Sequence, residues 1–422
     1  MAVPMNPHLP SDVIDPPEHR GPGEAREPGE TPAAVDDLAA ALRPAWVDVD
    51  LDALTGNLQA IRRRAPGMQV LAVVKADGYG HGAVGVSHAL EAAGVDWLGV
   101  ALLEEGAELR RAGIQLPILV LGTARPAKMS LYRHYKLTPT VSSMDELTLW
   151  REWATPLGEP QPVHLKVDTG MSRLGVALDE VPEALAILRA HPRLRLAGLL
   201  SHFAEADDLE SPRNAGQEAR FRAVLDLLSE PEREGILVHM ANSAAALHHP
   251  ESRFTLARLG IALYGIDPVG PPDMDAGLTP VMSVVARIVQ VREVPAGTPL
   301  SYGGRTVTRR RSRIAVVPVG YADGYAWRLT GKAEALLRGH RVPVAGSVTM
   351  DMTLLDVTET GGEVGEEVVL LGRQGAHEIP AAELARLAGT ISWEVLCHLG
   401  LRLPRRYLRG GRVEEMATRF SR

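Results

Sequence analysis

The sequence predicts an α/β protein: an N-terminal (β/α)8 barrel of the TIM type, followed by a mainly β C-terminal domain. Three observations carry this. Between Trp46 and Ile266 short apolar, strand-like runs alternate with helix-like segments, the pattern of a parallel sheet covered by helices. The strand-like runs number eight, enough to close a barrel, whereas an open doubly wound sheet needs fewer repeats and a switch in strand order. After Tyr264-Gly265 the texture changes at Asp267-Pro268-Val269-Gly270-Pro271-Pro272, and the runs beyond are alternating or β-branched and separated by turns.

Taken in order, residues 1–43 hold eight prolines, eight acidic side chains and three arginines, with no apolar periodicity. Such a stretch buries too little surface to offset the entropy of ordering, so it reads as a disordered tail. It lacks the continuous apolar segment of a secretory signal, and Met5 offers an alternative start. Residues 44–266 form the barrel. Its strands are expected at Val70–Val74, Trp97–Ala101, Ile118–Leu121, Thr138–Val141, Val163–Val167, Leu196–Leu200, Ile236–Met240 and Thr255–Leu259. Helices are expected at Leu54–Arg64, Ala83–Ala93, Glu104–Arg111, Met144–Trp153, Val181–Arg189 and Arg213–Leu228. Residues 267–412 form the second domain, with strands at Val281–Val291, Ile314–Val319, Val342–Ala345, Met352–Val357 and Glu367–Leu371 and one helix at Ala381–Ala388.

A chain of 422 residues is long enough for two cored domains. Its net charge of -7 comes mostly from the tail, so neither part suggests nucleic-acid binding by bulk charge. The cluster Arg309-Arg310-Arg311-Ser312-Arg313 reads as a solvated loop between strands. The single cysteine, Cys397, excludes an intramolecular disulfide, and the longest apolar runs are strand-sized rather than bilayer-sized. A cytoplasmic location without membrane attachment is the expectation.

The stretch Val70-Leu71-Ala72-Val73-Val74-Lys75-Ala76-Asp77-Gly78-Tyr79-Gly80-His81-Gly82 carries the chemistry. A strand ends at one lysine and gives way to a glycine-rich turn. In a parallel barrel the carboxyl ends of the strands open onto the ligand crevice. A half-desolvated lysine there loses its proton more readily and becomes nucleophilic, suited to a Schiff base with a carbonyl cofactor. One lysine after one strand is, however, more often a surface ammonium.

The whole string resembles the cofactor-attachment motif of the alanine racemase family, enzymes dependent on pyridoxal 5'-phosphate. That resemblance implies that Lys75 carries the cofactor and that Tyr79 contacts its phosphate. Further family motifs follow in order. Leu165-Lys166-Val167-Asp168-Thr169-Gly170-Met171-Ser172-Arg173 resembles the motif whose arginine, here Arg173, binds the cofactor's phenolic oxygen and the substrate carboxylate. Its lysine, here Lys166, is often carbamylated to hold that arginine, a change from a repelling ammonium to a pairing anion. Ser201-His202-Phe203-Ala204-Glu205-Ala206-Asp207 implies that His202 pairs with the pyridine-binding arginine and that Asp207 lines the outer entrance.

His239-Met240-Ala241-Asn242-Ser243-Ala244-Ala245 places Asn242 and Ser243 where a strand passes into a helix. Helix N-termini attract phosphate, so both are phosphate candidates on physical grounds as well as by resemblance. In Ala257-Arg258-Leu259-Gly260-Ile261 the resemblance sets Arg258 at the pyridine nitrogen and the Gly260 and Ile261 amides at the phosphate. An arginine does not give up its proton, so the ring nitrogen stays unprotonated and the carbanion is short-lived, which suits racemisation.

Racemisation needs proton transfer on both faces of the α-carbon, and Lys75 serves one. The resemblance assigns the other to Tyr302 in Pro299-Leu300-Ser301-Tyr302-Gly303-Gly304, reaching into a partner subunit's site; on the residues alone, a turn tyrosine is more often a surface group. Tyr302 is then the base for L-alanine and Lys75 for D-alanine. Gly320-Tyr321-Ala322-Asp323-Gly324-Tyr325 resembles the entry corridor, and Gly346-Ser347-Val348-Thr349-Met350-Asp351 places the Met350 amide on the substrate carboxylate. One departure stands out: Trp393 occupies a position often held by a phosphate-contacting tyrosine. The resemblance thus implies a homodimeric enzyme interconverting L- and D-alanine and supplying D-alanine for peptidoglycan. The alternative is a broader pyridoxal-dependent racemase of serine or larger amino acids. No metal is implied.

Overall fold

The computed structural model describes residues 43–123, 129–155, 158–269 and 277–418; the tail expected over residues 1–43 lies outside them except for Arg43, which donates to both carboxylate oxygens of Asp323 at 2.7 and 3.0 Å. Eight parallel strands form the barrel: β2 (Gln69–Val73), β3 (Trp97–Val100), β4 (Ile118–Val120), β5 (Leu137–Val141), β6 (Gln161–Lys166), β7 (Leu194–Leu200), β8 (Leu237–His239) and β9 (Leu256–Leu259). They pair in the order β8-β7-β6-β5-β4-β3-β2-β9. Between β8 and β9 single hydrogen bonds, Thr255 N to Val238 O (3.1 Å) and Arg258 N to Ala241 O (3.0 Å), take the place of a ladder. All eight strands fall where the apolar runs predict them.

The covering helices include α1 (Leu51–Arg64), α2 (Ala83–Ala92), α3 (Leu103–Arg111), α4 (Met129–His134), α5 (Met144–Ala154), α6 (Val181–Ala190), α7 (Pro212–Leu225), α8 (Glu230–Glu234) and α9 (Ser243–His248). The first shows why. Asp50 caps it by accepting from Ala53 N at 2.9 Å, and Arg62, Arg63 and Arg64 complement the dipole at its end. Leu54, Leu58 and Ile61, at helical spacing, are fully buried against the barrel. Each contributes about 1.5–3 kcal/mol of transfer free energy. Helices α4, α8 and α9 have six, five and six residues, too short to show a periodic face in the sequence.

One element departs from the expected division at residue 44. Strand β1 (Ala45–Asp50) belongs to the second domain's sheet, antiparallel to β10 (Met282–Arg287) and parallel to β20 (Arg405–Arg409). The physical reason lies in its side chains: Asp48 pairs with both ends of the Arg406 guanidinium, and the Trp46 ring lies 4.2 Å under it. The sheet runs β16 (His340–Pro343), β15 (Glu334–Leu337), β18 (Glu367–Gln374), β10, β1, β20, β21 (Arg412–Ala417), with β19 (His377–Ile379) paired to β18. A separate hairpin pairs β12 (Pro299–Leu300) with β13 (Thr306–Val307). A second, three-stranded sheet has the order β11 (Gln290–Val294), β14 (Ser312–Val317), β17 (Thr353–Asp356).

Two expectations for this domain need correction. The run Val281–Val291 is two strands, because the chain breaks at Ile288-Val289 and changes sheets. Helix α10 (Ala381–Ala388) is followed by a second, α11 (Ser392–His398), whose seven residues lack a side-chain cap. The basic cluster is a loop only as far as Arg311, with Arg310 paired to Glu359 and Arg311 to Glu293; Ser312 and Arg313 already belong to β14. No helix among the described residues is long and apolar enough to cross a membrane.

Candidate active site

The carboxyl ends of the barrel strands surround a cavity of about 1130 Å³ counting its open mouth. Lys75, Tyr79, Arg173, His202, Asn242, Ser243, Arg258, Gly260 and Ile261, all singled out in the sequence, line it together with Asp207 and Trp393. Lys75 follows β2, and the five residues after it are left-handed: φ is 53° at Ala76, 54° at Asp77, 61° at Gly78, 54° at Tyr79 and 79° at Gly80. Three of these carry side chains, so the turn is strained and survives only because its surroundings hold it.

Those surroundings are specific. Glu105 at the start of α3 accepts from Ala76 N (2.7 Å) with one oxygen and from Ala101 N (2.7 Å) and Leu102 N (3.0 Å) with the other. Asp77 accepts from Ala83 N at 2.9 Å. From the second domain, buried Arg405 donates to Gly80 O at 2.8 and 3.1 Å. A β-carbon at Gly80 would collide with Leu396 O of α11, so only glycine lets that helix approach. Burial, and then the nearby Arg173 guanidinium, push the Lys75 ammonium below its ordinary pKa, with Glu105 opposing. Burial keeps the Tyr79 phenol protonated well above its usual range.

Arg258, fully buried on β9, has no carboxylate partner among the described residues. It donates to Ser201 O (2.7 Å), His239 O (2.9 Å) and Met240 O (3.1 Å), and to two imidazoles, His202 Nδ1 (2.9 Å) and His239 Nδ1 (3.0 Å). Burial brings its pKa down to about 10, and it remains a cation at neutral pH. A guanidinium is a donor only, so both imidazoles must accept at Nδ1 and carry their proton on Nε2. His239 Nε2 then donates to His164 Nδ1 at 2.9 Å. Burial first, and then Arg258, hold His202 and His239 well below the ordinary imidazole pKa and His164 down to about 3.

Around the phosphate candidates the chain is tightly tied. Asn242, not Ser243, caps α9, accepting from Ala245 N at 3.0 Å. Ser243 Oγ instead accepts from Gly260 N (3.0 Å) and Ala262 N (3.3 Å), fixing the loop after β9 to the start of α9. A β-carbon at Gly260 would run into the Tyr79 hydroxyl. After β6, Asp168 Oδ1 accepts from Gly170, Met171 and Ser172 N at 2.8, 3.0 and 3.1 Å, folding the turn that presents Arg173. Lys166 is buried beside this group, its pKa lowered to about 8 by burial first and then by Arg258 and Arg173.

Tyr302 and Met350 do not line the cavity of their own chain; they are 78% and 52% exposed on loops of the second domain. Ser347 Oγ donates to Tyr302 O (3.1 Å) and Ala322 N to Met350 O (3.0 Å), which brings these loops together with exposed Tyr321. Two participants were not legible in the sequence. Cys397, with Trp393 on α11, lines the Lys75 cavity. Arg405, as described, supports the Lys75 turn. Both arrive through the docking of the second domain, for which a short helix and a terminal strand carry no local signal.

Comparison with known proteins gives one answer. The family model of the alanine racemase N-terminal domain matches residues 49–268, and that of the C-terminal domain matches residues 281–407. An alanine racemase of Synechocystis is 41% identical over 364 residues, covering 86% of this chain and 98% of its own. The structure of alanine racemase from Bacillus anthracis with bound L-Ala-P aligns with a TM-score of 0.82 at 34% identity, covering 90% of this chain and 98% of that one. Alanine racemase from Bartonella henselae, described with covalently bound pyridoxal phosphate, aligns at 0.78 and 30% identity, covering 86% and 99%.

Proposed function

The chain belongs to the alanine racemase family, and from that premise we propose that it interconverts L- and D-alanine with pyridoxal 5'-phosphate in the Lys75 cavity. One observation carries the reading. Three cations, Lys75, Arg173 and Arg258, line the cavity, while Asp207 is the only carboxylate among its lining residues. Such a site attracts an anionic group and leaves Lys75 readily deprotonated. The donor set fits pyridoxal phosphate end to end. Tyr79, Asn242, Ser243 and the Ile261 amide would hold the phosphate, together with the Gly260 amide once it exchanges Ser243 Oγ for a phosphate oxygen, and the first turn of α9 also leaves N–H groups without intrahelical acceptors. Arg258 would hold the pyridine nitrogen and Arg173 the phenolic oxygen.

When bound, pyridoxal phosphate supplies a carbonyl for amine condensation and an electron-accepting ring that acidifies the α-hydrogen of the amino acid. Lys75 holds the carbonyl and moves the proton on one face. Arg258 keeps its own proton and offers none to the ring, because its contacts are to carbonyls and neutral imidazoles. His202 and His239 fix its orientation through their Nδ1 atoms. Arg173 orients the substrate carboxylate, and Lys166, whose lowered pKa makes its free amine available to carbon dioxide, becomes the anion that steadies Arg173.

Tyr302 of a second copy supplies the proton on the other face, and Met350 of that copy offers its amide to the carboxylate. The 78% exposure of Tyr302, in a loop cluster away from the cavity of its own chain, supports this sharing and hence a homodimer. Trp393, bulkier than tyrosine, lines the cavity and favours a small side chain such as alanine over the larger substrates of a broad racemase. Within this reading the product is cytoplasmic D-alanine for cell-wall peptidoglycan.

The test is an absorbance spectrum of the purified protein before and after borohydride, with chiral analysis of alanine, serine and leucine. The expected result is a cofactor band abolished by reduction, with alanine racemised fastest and Lys75→Ala inactive in both directions. Near-normal turnover by Lys75→Ala, or faster racemisation of leucine than alanine, overturns it.

A further inference from the structure

A second cavity, of about 850 Å³ including its open mouth, lies in the C-terminal domain between α10, α11 and the segment Gly324–Leu329. Its walls are apolar, with Leu329, Leu371, Leu384 and Ala388 all buried. Five polar or charged side chains also line it, Tyr325, Arg328, Thr390, Glu394 and His398, and two of them lack partners among the described residues. Tyr325, 2% exposed, is one of the walls, and its hydroxyl has no hydrogen-bond partner among the described residues. A buried donor left unpaired is destabilising; the hydroxyl has under 1 Å² of accessible surface, so a ligand oxygen recovers that cost by drawing it into the cavity. Arg328, also lining the cavity, is exposed and has no ion pair or hydrogen bond among the described residues, while Glu394 on the opposite wall is engaged by Thr390 and His398.

The wall formed by α11 is shared with the Lys75 cavity. Trp393 and Cys397, four residues apart, line the Lys75 cavity; Glu394, Val395 and His398 line this one. The helix is short and also abuts the strained turn at Gly80, so a ligand that moves it changes both sites. We propose that this cavity is a second ligand site for a small aryl or branched-alkyl monocarboxylate, coupled to the Lys75 cavity through α11. The apolar body packs on the leucine walls, the carboxylate pairs with Arg328, and an oxygen at the inner end accepts from Tyr325. The site stands independently of the racemase reading.

The experiment is calorimetric titration of the full chain with 4-acetylbenzoate, which has an aryl body, a carboxylate and an acceptor at the far end. One saturable event per chain is expected, weakened about tenfold by Arg328→Gln and a few-fold by Tyr325→Phe, as loss of a charge-assisted and a neutral hydrogen bond would do. Arg173→Gln, which alters the other cavity, should leave it unchanged. Coupling is read from the labelling rate of Cys397, the chain's single cysteine, by a thiol reagent. Saturating probe should change that rate at least threefold, on the order expected for modest site-site coupling, and Arg328→Gln should abolish the change. Absence of saturable binding, or binding lost in Arg173→Gln and retained in Arg328→Gln, overturns the site. Binding at Arg328 with an unchanged labelling rate overturns the coupling.

Discussion

Replacing Arg405 by methionine tests how far the second domain holds the lysine turn in place. Arg405 is 3% exposed, and its guanidinium makes five contacts to four backbone carbonyls: Gly80 (2.8 and 3.1 Å), Leu399 (2.6 Å), Gly400 (2.6 Å) and Leu403 (2.8 Å). Methionine fills much of the volume and donates nothing. Each carbonyl stripped of its donor costs about 1–3 kcal/mol, so the gross loss is about 4–12 kcal/mol. Opposing this, the variant no longer buries a cation that lacks an ion pair among the described residues and whose pKa burial already lowers; that relief is several kcal/mol. The net destabilisation is therefore about 3–5 kcal/mol, near the top of what single substitutions produce. Urea unfolding followed by circular dichroism measures it, with Arg405→Lys alongside, whose single ammonium cannot span four acceptors. Because Gly80 closes the left-handed turn that begins at Lys75, racemisation should fall with stability. A loss below about 1 kcal/mol, or full destabilisation with unaltered turnover, would refute the idea that this residue supports the site.

Three further outcomes follow from the same geometry. Mixed dimers of Lys75→Ala and Tyr302→Phe, each inactive alone, should regain racemisation, because one of their two sites then has both intact bases; no rescue in demonstrated heterodimers would rule out sharing. Lys166, whose pKa of about 8 leaves free amine at mildly alkaline pH, should gain the mass of one carbon dioxide in bicarbonate and lose it in Lys166→Gln, as seen by native mass spectrometry. His81 is buried, with its pKa lowered to about 3 chiefly by burial. The unfolded imidazole takes a proton near 6.5 and the folded one does not, so stability falls as pH drops through this window, by about 1.4 kcal/mol per pH unit for this residue. The gap between unfolding midpoints at pH 7 and pH 5 should narrow in His81→Gln without closing, because buried His164, His202 and His239 still favour the higher pH, and an unchanged slope would show that His81 contributes nothing to it.

The barrel was legible because each of its strands is a short apolar run bounded by turn residues, a signal that survives without knowledge of partners. Strand β1 was not, since Trp46-Val47-Asp48-Val49 precedes the barrel in the chain and is claimed by the second domain only through Arg406 and β10. The Lys75 string, which the sequence marks as the chemical centre, lines the cavity at the barrel mouth, yet its backbone was not foreseen. A left-handed run through Ala76 and Asp77 violates local preference, and what enforces it comes from Glu105 and Arg405, 29 and 325 positions from their acceptor or donor atoms in the turn. Strain of this kind is invisible to propensity because its compensation is non-local.

The same non-locality explains why α11 matters more than its seven residues suggest. Its Leu396 carbonyl sits over Gly80, its Trp393 and Cys397 face Lys75, and the carbonyl of Leu399, just past its end, is held by Arg405. The guanidinium of Arg405 therefore clamps two pieces of the cavity at once, the turn that begins at Lys75 and the helix that closes over it. A second domain that served only to present Tyr302 to another copy would need no such clamp. Its presence means that the geometry at Lys75 depends on how this domain is seated, so perturbations of α11, whether by mutation or by a ligand behind it, should reach the cavity without touching any residue that binds substrate.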